Sequence, residues 1–588
     1  MSIVESAIAR ARPPLEAPRR WVFRASECDD AAVAALVADL NLPRALCRLL
    51  LLRGHSTPDD ARRFLKPGLE SLHDPMLLAG TAPAVDRIVR AVRSAERMLI
   101  HGDYDVDGMC AAALYTRVLR SLGADVEAFV PHRMSDGYDL GHAGVRRAAE
   151  AGATLILTGD CGIDAHDAIE QANAQGIDVI ITDHHTPGDT LPAAVAVVNP
   201  NRTDCPYPFK GLAGAGVAYK LCQALVRALD GDADALRWHL DLVAMATIAD
   251  LAPLTGENRI LAHYGLRVLR ETRKPGLRAL MLRAGISTTA PLSAGQVSHT
   301  LAPRINAVGR MGAASRGLRL LLADDEAEAA ALADEMEAEN RTRQNVDRAM
   351  LDEAVAMLEQ SFDPAADFGI VLSSPGWHPG VIGVVASRVV ERVHRPVVLI
   401  AEDATTGRGR GSARSIPAFH LYDAVHACAP LLERYGGHRQ AAGMDLRLER
   451  IAAFRDAFNR HAREVLGPDD LIAEVKVDLE ITIAEANSDL CRMMRHCGPF
   501  GMGNPQPVFV ARGVAAHHCK PVGGGQHLKM TLGHGDARLA AIGFRMAERL
   551  RDLDFGATPL DVAFQLQHDE WNGRERLQAR LVDVRAAE

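Results

Sequence analysis

The stretch His101-Gly102-Asp103-Tyr104-Asp105-Val106-Asp107-Gly108 decides how this sequence is interpreted. It follows directly on the apolar run 98–100 and places three carboxylates and an imidazole in one short turn. So many like charges need a counter-ion. Carboxylate oxygens bind hard divalent cations such as Mg2+ or Mn2+, and a nearby histidine favours Mn2+ or another borderline metal. An acidic turn before a helix can also be a solvated cap, so this stretch alone leaves a metal site and a cap as alternatives.

Short apolar runs alternate with helix-like segments around this stretch. The runs are residues 98–100, 126–130, 154–158, 179–182 and 195–198, and the helical patterns are residues 111–122, 144–151 and 165–174. This alternation predicts βαβ units on a parallel, doubly wound sheet. The carboxyl ends of such strands share one crevice, so residues far apart in sequence meet there.

Acidic and imidazole groups recur where these strands end. Asp160 closes the third run, and Asp183-His184-His185 closes the fourth. Asp250 follows a mostly apolar helix and is a further candidate ligand. Clusters at three strand ends favour a metal site over a solvated cap.

The rest of the chain changes character several times, and we expect an α/β protein of several domains. The expected parts are a mostly helical region at residues 1–85, a parallel-sheet domain at 86–325, a long connecting helix at 326–362, a smaller α/β domain at 363–466 and a β-barrel of the OB type at 467–588. Barrel strands are predicted at residues 475–481, 508–510, 527–532, 539–544 and 560–567, with Gly-rich turns between them.

Composition narrows the class of protein. Hydrophobic residues make up 48% and charged residues 24% of the 588 residues, which is typical of a globular protein. No apolar stretch approaches the ~20 residues of a membrane span, and no secretory signal is recognisable, so we expect a cytoplasmic protein without a membrane partner. The net charge of −9 argues against a globally basic nucleic-acid binder, and any polyanion must bind a local basic groove.

A set of motifs spread from about residue 40 onward resembles the RecJ-type single-strand-specific exonucleases of the DHH phosphoesterase family. The motifs are HGDYDVDG at 101, GDCG at 159, TDHH at 182, TIADLAPL at 247, APRINAVGR at 302, WHPGVIGVVASR at 377, GSARS at 411 and GGHRQAAG at 436. The resemblance implies that a DHH domain is joined by a long helix to a smaller DHHA1 domain, followed by an OB-fold domain.

The resemblance also implies two Mn2+ or Mg2+ ions. His101 and Asp105 would hold one ion, and Asp107, His184 and Asp250 the other. Asp160 could bridge them. Asp103 and Asp183 would orient these ligands from behind, and His185 would contact a phosphate or carry a proton.

Substrate contacts are expected from cationic and donor-rich side chains. Arg133 would bind a terminal phosphate, and the Gly-rich loop predicted at residues 408–414 would bind phosphate through its arginines and a serine. The candidates for substrate contact are Arg133, Tyr138, Arg304, Asn306, Arg310, Arg408, Arg410, Ser412, Arg414 and His438. For Arg304, Asn306 and Arg310 a structural role is an open alternative, and Tyr138 is either a stacking residue or a core residue.

The expected function is a single-stranded-DNA-specific exonuclease that works 5′ to 3′ in DNA repair and recombination, with the polarity implied by the resemblance. The alternative is a DHH phosphoesterase acting on short oligonucleotides or cyclic dinucleotides. The expected partners are single-stranded DNA, a single-stranded-DNA-binding protein and a helicase, and the chain is expected to be a monomer.

Overall fold

The computed structural model describes residues 17–24, 29–132, 136–137, 139–311, 314–550, 558–571 and 574–587. The chain folds into two compact units. Unit one takes its described residues from 1–22 and 341–475, and unit two takes its described residues from 23–340 and 476–588.

Eighteen strands are present in the described residues. They are β1 (Arg19–Phe23), β2 (Arg97–Gly102), β3 (Asp125–Phe129), β4 (Leu155–Gly159), β5 (Asp178–Thr182), β6 (Ala196–Val198), β7 (Ile370–Ser374), β8 (Val397–Asp403), β9 (Arg408–Arg414), β10 (Arg434–Gly437), β11 (Ala441–Arg447), β12 (Ala473–Val477), β13 (Leu479–Glu480), β14 (Phe509–Val522), β15 (His527–His534), β16 (Ala537–Gly543), β17 (Leu560–Trp571) and β18 (Arg574–Ala586).

Twenty α-helices accompany them in the same described ranges. They are α1 (Asp30–Leu40), α2 (Arg44–Leu52), α3 (Pro58–Leu65), α4 (Thr81–Arg93), α5 (Val106–Ser121), α6 (His142–Ala151), α7 (His166–Ala174), α8 (Gly214–Ala228), α9 (Ala233–Arg237), α10 (Leu240–Ala249), α11 (Gly256–Arg270), α12 (Pro275–Arg283), α13 (Ala294–Gln296), α14 (Ala302–Met311), α15 (Ala314–Leu322), α16 (Glu326–Ser361), α17 (Ile382–Val393), α18 (Leu421–Ala427), α19 (Ile451–Val465) and α20 (Ser488–Met494).

The catalytic candidates of unit two lie on a five-stranded parallel sheet of order β3-β2-β4-β5-β6. Strand β4 is buried along its whole length, as expected for a parallel strand covered by helices on both faces. The predicted parallel sheet is therefore confirmed. The helix predicted from residue 111 begins earlier, at Val106, because Asp105 caps it by accepting a hydrogen bond from the Gly108 amide at 3.0 Å.

Unit one contains a mixed sheet of order β10-β11-β9-β8-β7. The Gly-rich loop predicted around Arg410 was wrong, because residues 408–414 form strand β9 between β8 and β11. A Cβ at Gly409 would lie 2.7 Å from Ile400, and one at Gly411 would lie 2.7 Å from the Met444 side chain. The glycines therefore allow close packing on the buried face, and the alternating arginines lie on the other face.

The Gly436-Gly437-His438 segment of the motif at 436 has the composition of a turn, and the turn it predicts is wrong for the two glycines. Gly436 and Gly437 are the last two residues of strand β10. Of the three residues, His438 alone lies in the connection to β11. The His438 amide donates to the Ala441 carbonyl at 2.8 Å and closes this hairpin.

The C-terminal part of unit two is a closed barrel in which β14, β15, β16, β18 and β17 are neighbours and β17 pairs again with β14. The single strand predicted at residues 475–481 is two strands: β12 pairs with β1, whereas β13 joins the barrel beside β14. Strand β18 was not predicted, since its Arg, Glu and Gln residues are good helix formers. Pairing with β17 along its length overrides that local preference.

The N-terminal helices do not form a core of their own. Residues of α1, α2 and α3, including Val33, Leu36 and Leu46, share one buried cluster with barrel residues such as Phe509 and Phe564. Residues 30–65 therefore pack on the C-terminal barrel and share its hydrophobic core within unit two.

Helix α16 carries the chain from unit two into unit one without a break. The predicted fold class, with a parallel-sheet domain, a long helix, a smaller α/β domain and a C-terminal OB-type barrel, is confirmed. The predicted domain boundaries stay predictions. Every helix in the described residues is too short or too polar to span a bilayer.

Candidate metal centre

Three neighbouring strands deliver the candidate ligands to one edge of the parallel sheet. His101 lies near the end of β2, Asp160 follows β4, and Asp183 with its two histidines follows β5. Because the strands are parallel, these ends meet in unit two. Asp160 adopts φ +66°, and its amide donates to the Thr182 carbonyl at 3.0 Å, so the backbone turns sharply at this carboxylate.

Asp107 is held by the first amides of helix α8. Its two carboxylate oxygens accept hydrogen bonds from the Gly214 amide at 2.7 Å and the Ala215 amide at 2.6 Å. The side chain is only 1% exposed. The positive end of the α8 dipole therefore stabilises a buried negative charge here.

His184 is the centre of one group of candidate ligand atoms. Its Nε2 lies 3.1 Å from Asp160 Oδ1, 3.8 Å from Asp250 Oδ2 and 3.9 Å from Asp107 Oδ2. One ligand atom from each of Asp107, His184 and Asp250 lies within 4.8 Å of the others, which is the set predicted for one ion.

A second group combines carboxylates only. Ligand atoms of Asp103, Asp105 and Asp160 also lie within 4.8 Å of one another. Asp103 therefore lies among the candidate ligands rather than only behind them. The imidazole of His101 is fully buried, and its Nε2 has no hydrogen-bond partner among the described residues.

Asp183 and His185 form a hydrogen-bonded pair at the same strand end, and His185 also lies within 4.8 Å of ligand atoms of Asp160 and His184. The Asp183 carboxylate accepts from His185 Nδ1 at 2.7 Å and from the amides of Ile163, His184 and His185. Burial alone would raise the pKa of Asp183, but its contacts with His185 outweigh this and lower it. Burial alone would lower the pKa of His185, yet the hydrogen bond and charge of Asp183 raise it to about 9. His185 is therefore a cationic donor at neutral pH.

The other carboxylates repel one another. Burial and neighbouring carboxylates raise the pKa of Asp103, Asp107 and Asp160 well above the usual value. Burial and Asp105 raise the pKa of Asp250 to about 7. Bound cations relieve both the repulsion and the burial cost, so the charge distribution fits divalent metal ions.

The histidines fit as neutral ligands. Burial lowers the pKa of His101 and of His184 to about 4 in each case. Four buried atoms of the site lack a hydrogen-bond partner among the described residues: His101 Nε2, Asp103 Oδ1, Asp160 Oδ1 and His184 Nε2. Such unsatisfied atoms are costly in a folded protein unless something coordinates them. The residues present therefore fit two divalent ions.

A cavity of about 310 Å³ opens onto these carboxylates. Its lining includes Asp105, Asp107, Asp250 and the predicted substrate contact Asn306. Arg304 is instead held by Glu337, whose carboxylate accepts from its Nε at 2.7 Å, and by the Thr300 carbonyl at 2.6 Å. Arg304 thus has a structural ion pair, whereas Asn306 and Gly309 of the same motif line the cavity.

The substrate candidates of unit one share one face of strand β9. Arg408 pairs with Glu433 at 2.9 Å, and Arg410 lies 3.7 Å from Asp445. Arg414 donates to the Ser412 hydroxyl at 3.2 Å. A Cβ at Gly383, in the first turn of α17, would lie 2.9 Å from both Ser412 Oγ and Arg414 Nη2. Ser412 and Arg414 therefore lie against a helix N-terminus, where anions are favoured.

The remaining predicted contacts are not testable in this way. His438 is exposed. Arg133, Tyr138 and the side chain of Arg310 lie outside the described residues.

Sequence reasoning missed the contribution of helix α8. Gly211, Gly214 and Gly216 imitate part of a dinucleotide-binding loop but lack its spacing, so the sequence alone favours close helix packing as their role. A Cβ at Gly214 would lie 2.5 Å from the Asp160 Cβ, so glycine is required where two ligand-bearing segments meet. Gly214 and Ala215 also orient Asp107, as described above. The sequence signal was the run of small residues at 213–216.

Asp139 was also missed. Its carboxylate accepts from the Gly162 amide at 2.5 Å and the Leu140 amide at 2.7 Å, and thereby supports the turn after Asp160. Burial raises the pKa of Asp139. Nothing in the local sequence distinguishes it from an ordinary loop aspartate.

Comparisons with known proteins agree with this geometry. Family models match for the DHH family N-terminal domain at residues 97–247, the DHHA1 domain at 367–464 and the RecJ OB domain at 477–583. The single-stranded-DNA-specific exonuclease RecJ of Escherichia coli is 37% identical over 578 residues, covering 93% of this chain and 97% of that protein. The protein of the same name from Bacillus subtilis is 36% identical, covering 98% and 72%.

A solved structure shares the whole fold. The crystal structure of RecJ in complex with Mn2+ from Thermus thermophilus matches with a TM-score of 0.82 and 34% identity, covering 97% of this chain and 80% of that one. The similarity thus extends over nearly the full chain and all three family domains. The chain belongs to the RecJ family of single-stranded-DNA-specific exonucleases, within the DHH family.

Proposed function

We propose that this chain hydrolyses phosphodiester bonds of single-stranded DNA from the 5′ end, using two divalent ions, in DNA repair and recombination. The observation that carries the proposal is the cluster of buried, unpartnered carboxylate and imidazole atoms at the edge of the parallel sheet. Its setting is a chain similar over nearly its full length to exonucleases that act on single-stranded DNA.

We propose the ligand sets that the family resemblance implies. Asp107, His184 and Asp250, whose ligand atoms lie close together, would hold one Mn2+ or Mg2+ ion. His101 and Asp105 would hold the other ion, with Asp160 shared. The carboxylate of Asp103 is close enough to assist the second ion. Such ions supply polarisation of the phosphate, a lower pKa for bound water and charge for the leaving oxygen.

The chain's own residues bind and orient the substrate. His185, kept cationic by Asp183, would donate to a phosphate oxygen or give a proton to the leaving group. Arg414 and Ser412 would bind the 5′-terminal phosphate, with Arg408, Arg410 and His438 along the strand. Asn306 would contact the substrate in the acidic cavity, and Arg133, Tyr138, Arg304 and Arg310 remain predicted contacts.

The direct test offers Mn2+ and the purified chain several end-labelled nucleic acids in parallel: single-stranded DNA, single-stranded RNA, duplex DNA and a dinucleotide. We expect release of mononucleotides from the 5′ end of single-stranded DNA and little from duplex. Activity confined to the dinucleotide would support the alternative of a short-oligonucleotide phosphoesterase. The cellular expectations also stay predictions: a cytoplasmic location, a monomeric state, and a single-stranded-DNA-binding protein and a helicase as partners.

We predict that the affinity for Mn2+ rises with pH. Cation binding must displace protons from carboxylates whose pKa values are raised, and the pKa of Asp250 is about 7. His101 and His184, with pKa values of about 4, are already neutral near pH 6 and release none. Affinity should therefore increase about tenfold per pH unit for each proton displaced. Calorimetry in two buffers of different ionisation enthalpy measures that proton release, and a flat affinity between about pH 6 and 8 would contradict the assignment.

The phosphate contact predicts a selective defect. Arg414→Ala should slow hydrolysis of 5′-phosphorylated strands about tenfold or more, because a hydrogen bond to a charged group contributes about 1.5–3 kcal/mol. Strands with a 5′-hydroxyl should lose much less. Rates on both substrates measure the effect, with Arg392→Ala, an exposed arginine of α17, as the matched control. An equal loss of rate on 5′-phosphorylated and 5′-hydroxyl strands would argue against a role of Arg414 in binding the terminal phosphate.

The barrel offers a surface for the incoming strand. Phe544 follows β16 and is 45% exposed, with the Arg580 guanidinium 5.6 Å and the His527 ring 5.2 Å from its ring centroid. Lys529 and Arg580 flank Ile542 in register on the same outer face. An exposed aromatic ring beside an arginine, on a face that also carries a lysine, is suited to stacking a base while binding its phosphates.

Phe544→Ala should therefore weaken binding of single-stranded DNA by about 1 kcal/mol or more, the usual contribution of one stacked base. Fluorescence anisotropy with a labelled oligonucleotide measures this. Leu282→Ala, which removes another exposed apolar side chain of unit two, is the control. If the two variants bind DNA alike, Phe544 is not a stacking residue.

A further inference from the structure

The imidazole of His101 is enclosed on every side that the structure describes. Its side chain is fully buried, and the Phe129 ring lies 5.4 Å away between centroids. A Cβ at Gly144 would lie 2.6 Å from His101 Cδ2 and 2.8 Å from Nε2, so helix α6 approaches the ring at a glycine. The ring therefore has one position, and its chemistry depends on which nitrogen carries the proton.

One side chain touches the other nitrogen. Cys161 Sγ lies 3.5 Å from His101 Nδ1, within reach of a sulfur hydrogen bond. The same Sγ lies 3.9 Å from the His101 carbonyl oxygen, to which the thiol can donate. When the thiol donates to that carbonyl, the sulfur lone pair is left to accept from Nδ1–H.

This arrangement selects one tautomer. A neutral imidazole has a single N–H, so a proton on Nδ1 leaves the lone pair on Nε2. Nε2 is the buried atom without a partner among the described residues. In metal sites the partner of the remote nitrogen is usually a carboxylate or a carbonyl, and it fixes both tautomer and ring orientation.

The sulfur is placed by the same turn that presents Asp160. Cys161 forms an isolated antiparallel bridge with Thr182, and its carbonyl accepts from the Thr158 hydroxyl at 2.7 Å. Asp160 adopts φ +66°, and the adjacent side chains of Asp160 and Cys161 belong to different parts of the proposed metal centre. One carries a ligand carboxylate, and the other contacts His101.

We propose that Cys161 is a positioning residue for His101: its sulfur accepts from Nδ1–H and so directs the Nε2 lone pair toward a metal ion. This inference rests on the proposed role of His101 as a ligand. Cys161 itself would neither bind a metal ion nor contact the substrate.

The test measures Mn2+ binding by calorimetry, with unfolding of the metal-free protein followed in parallel. Cys161→Val keeps the size of the side chain but removes the acceptor, and should weaken one of two Mn2+ sites about 10–100-fold. Cys161→Ser should restore part of that affinity, because a hydroxyl can accept from Nδ1–H and donate to the carbonyl. Cys222→Val removes another buried thiol of the same domain and should bind Mn2+ as the unmodified chain does. If Cys161→Val does not fold, Cys161→Ala replaces it.

Several results would overturn the proposal. Unchanged Mn2+ affinity in folded Cys161→Val would exclude a positioning role while leaving the proposed function intact. Cys161→Ser binding Mn2+ as weakly as Cys161→Val would show that hydrogen bonding by this side chain does not set the affinity. A thiolate-to-cadmium charge-transfer band that is lost in Cys161→Ser would make Cys161 a ligand. Failure of the unmodified chain to bind Mn2+ would instead remove the proposed function together with this inference.

Discussion

Replacing Asp107 with asparagine is expected to lower Mn2+-dependent release of mononucleotides from single-stranded DNA by more than about a hundredfold. Replacing a residue that only supports a metal ligand costs at most about a hundredfold, and Asp107 is a proposed ligand itself. Asp107 is buried, held by the Gly214 and Ala215 amides, and grouped with His184 and Asp250. Asparagine has nearly the same shape but offers one neutral oxygen in place of a carboxylate. Initial rates at saturating Mn2+ measure the effect.

Stability separates a metal defect from a folding defect. Metal-free Asp107→Asn should melt below the unmodified protein, because the asparagine NH2 group cannot accept the hydrogen bond that one of the two α8 amides donates. The rise in melting temperature on adding Mn2+ should shrink, since less cation is bound. Asp86→Asn, an exposed aspartate of α4, is the matched control. Full nuclease activity in Asp107→Asn would refute the proposed centre.

Lys220→Met is expected to destabilise the parallel-sheet domain by about 3–5 kcal/mol, the usual cost of leaving a buried charge unpaired. Lys220 is 0% and Glu257 2% exposed, and the Lys220 Nζ lies 3.1 Å from Glu257 Oε1. The variant leaves Glu257 with the Tyr207 hydroxyl at 2.6 Å and the His73 amide at 2.9 Å as its remaining donors. Urea unfolding followed by tryptophan fluorescence and circular dichroism measures the loss.

The double variant Lys220→Met with Glu257→Gln is the control for this prediction. Removing both charges leaves no unpaired ion, so it should be more stable than the single variant. Because α8 carries Lys220 in its middle and the Gly214 amide at its start, the single variant should also weaken Mn2+ binding. A single variant as stable as the double variant would mean that the pair contributes nothing beyond its packing.

The local sequence predicted those features of the fold and of the candidate site that depend mainly on residue type. Buried β strands such as β4 are short apolar runs, and a turn holding Asp103, Asp105 and Asp107 after one of them needs a counter-ion. Parallel pairing then brings Asp160 and His184 to the same edge, which general sheet geometry already predicts. The grouping of Asp107 with His184 and Asp250 around one ion was predicted from the family resemblance, since Asp250 follows helix α10 and not a strand.

Other features depended on contacts between distant segments. Strand β18 has the composition of a helix, and pairing with β17 decides its conformation. Strand β9 has the composition of a loop, and its glycines are explained only by Ile400 and Met444 packing beneath them. Local propensity is weak beside such tertiary contacts.

The sequence by itself determined the fold class, the family and most of the candidate ligands, because hydrophobic period and ligand chemistry are local properties. Only the tertiary structure decided how those ligands are supported. The α8 amides hold Asp107, the Cys161 sulfur meets His101, and the N-terminal helices share a core with the barrel. Each of these contacts joins residues distant in sequence, and its energy comes from burial and hydrogen bonding that exist only once the chain has folded.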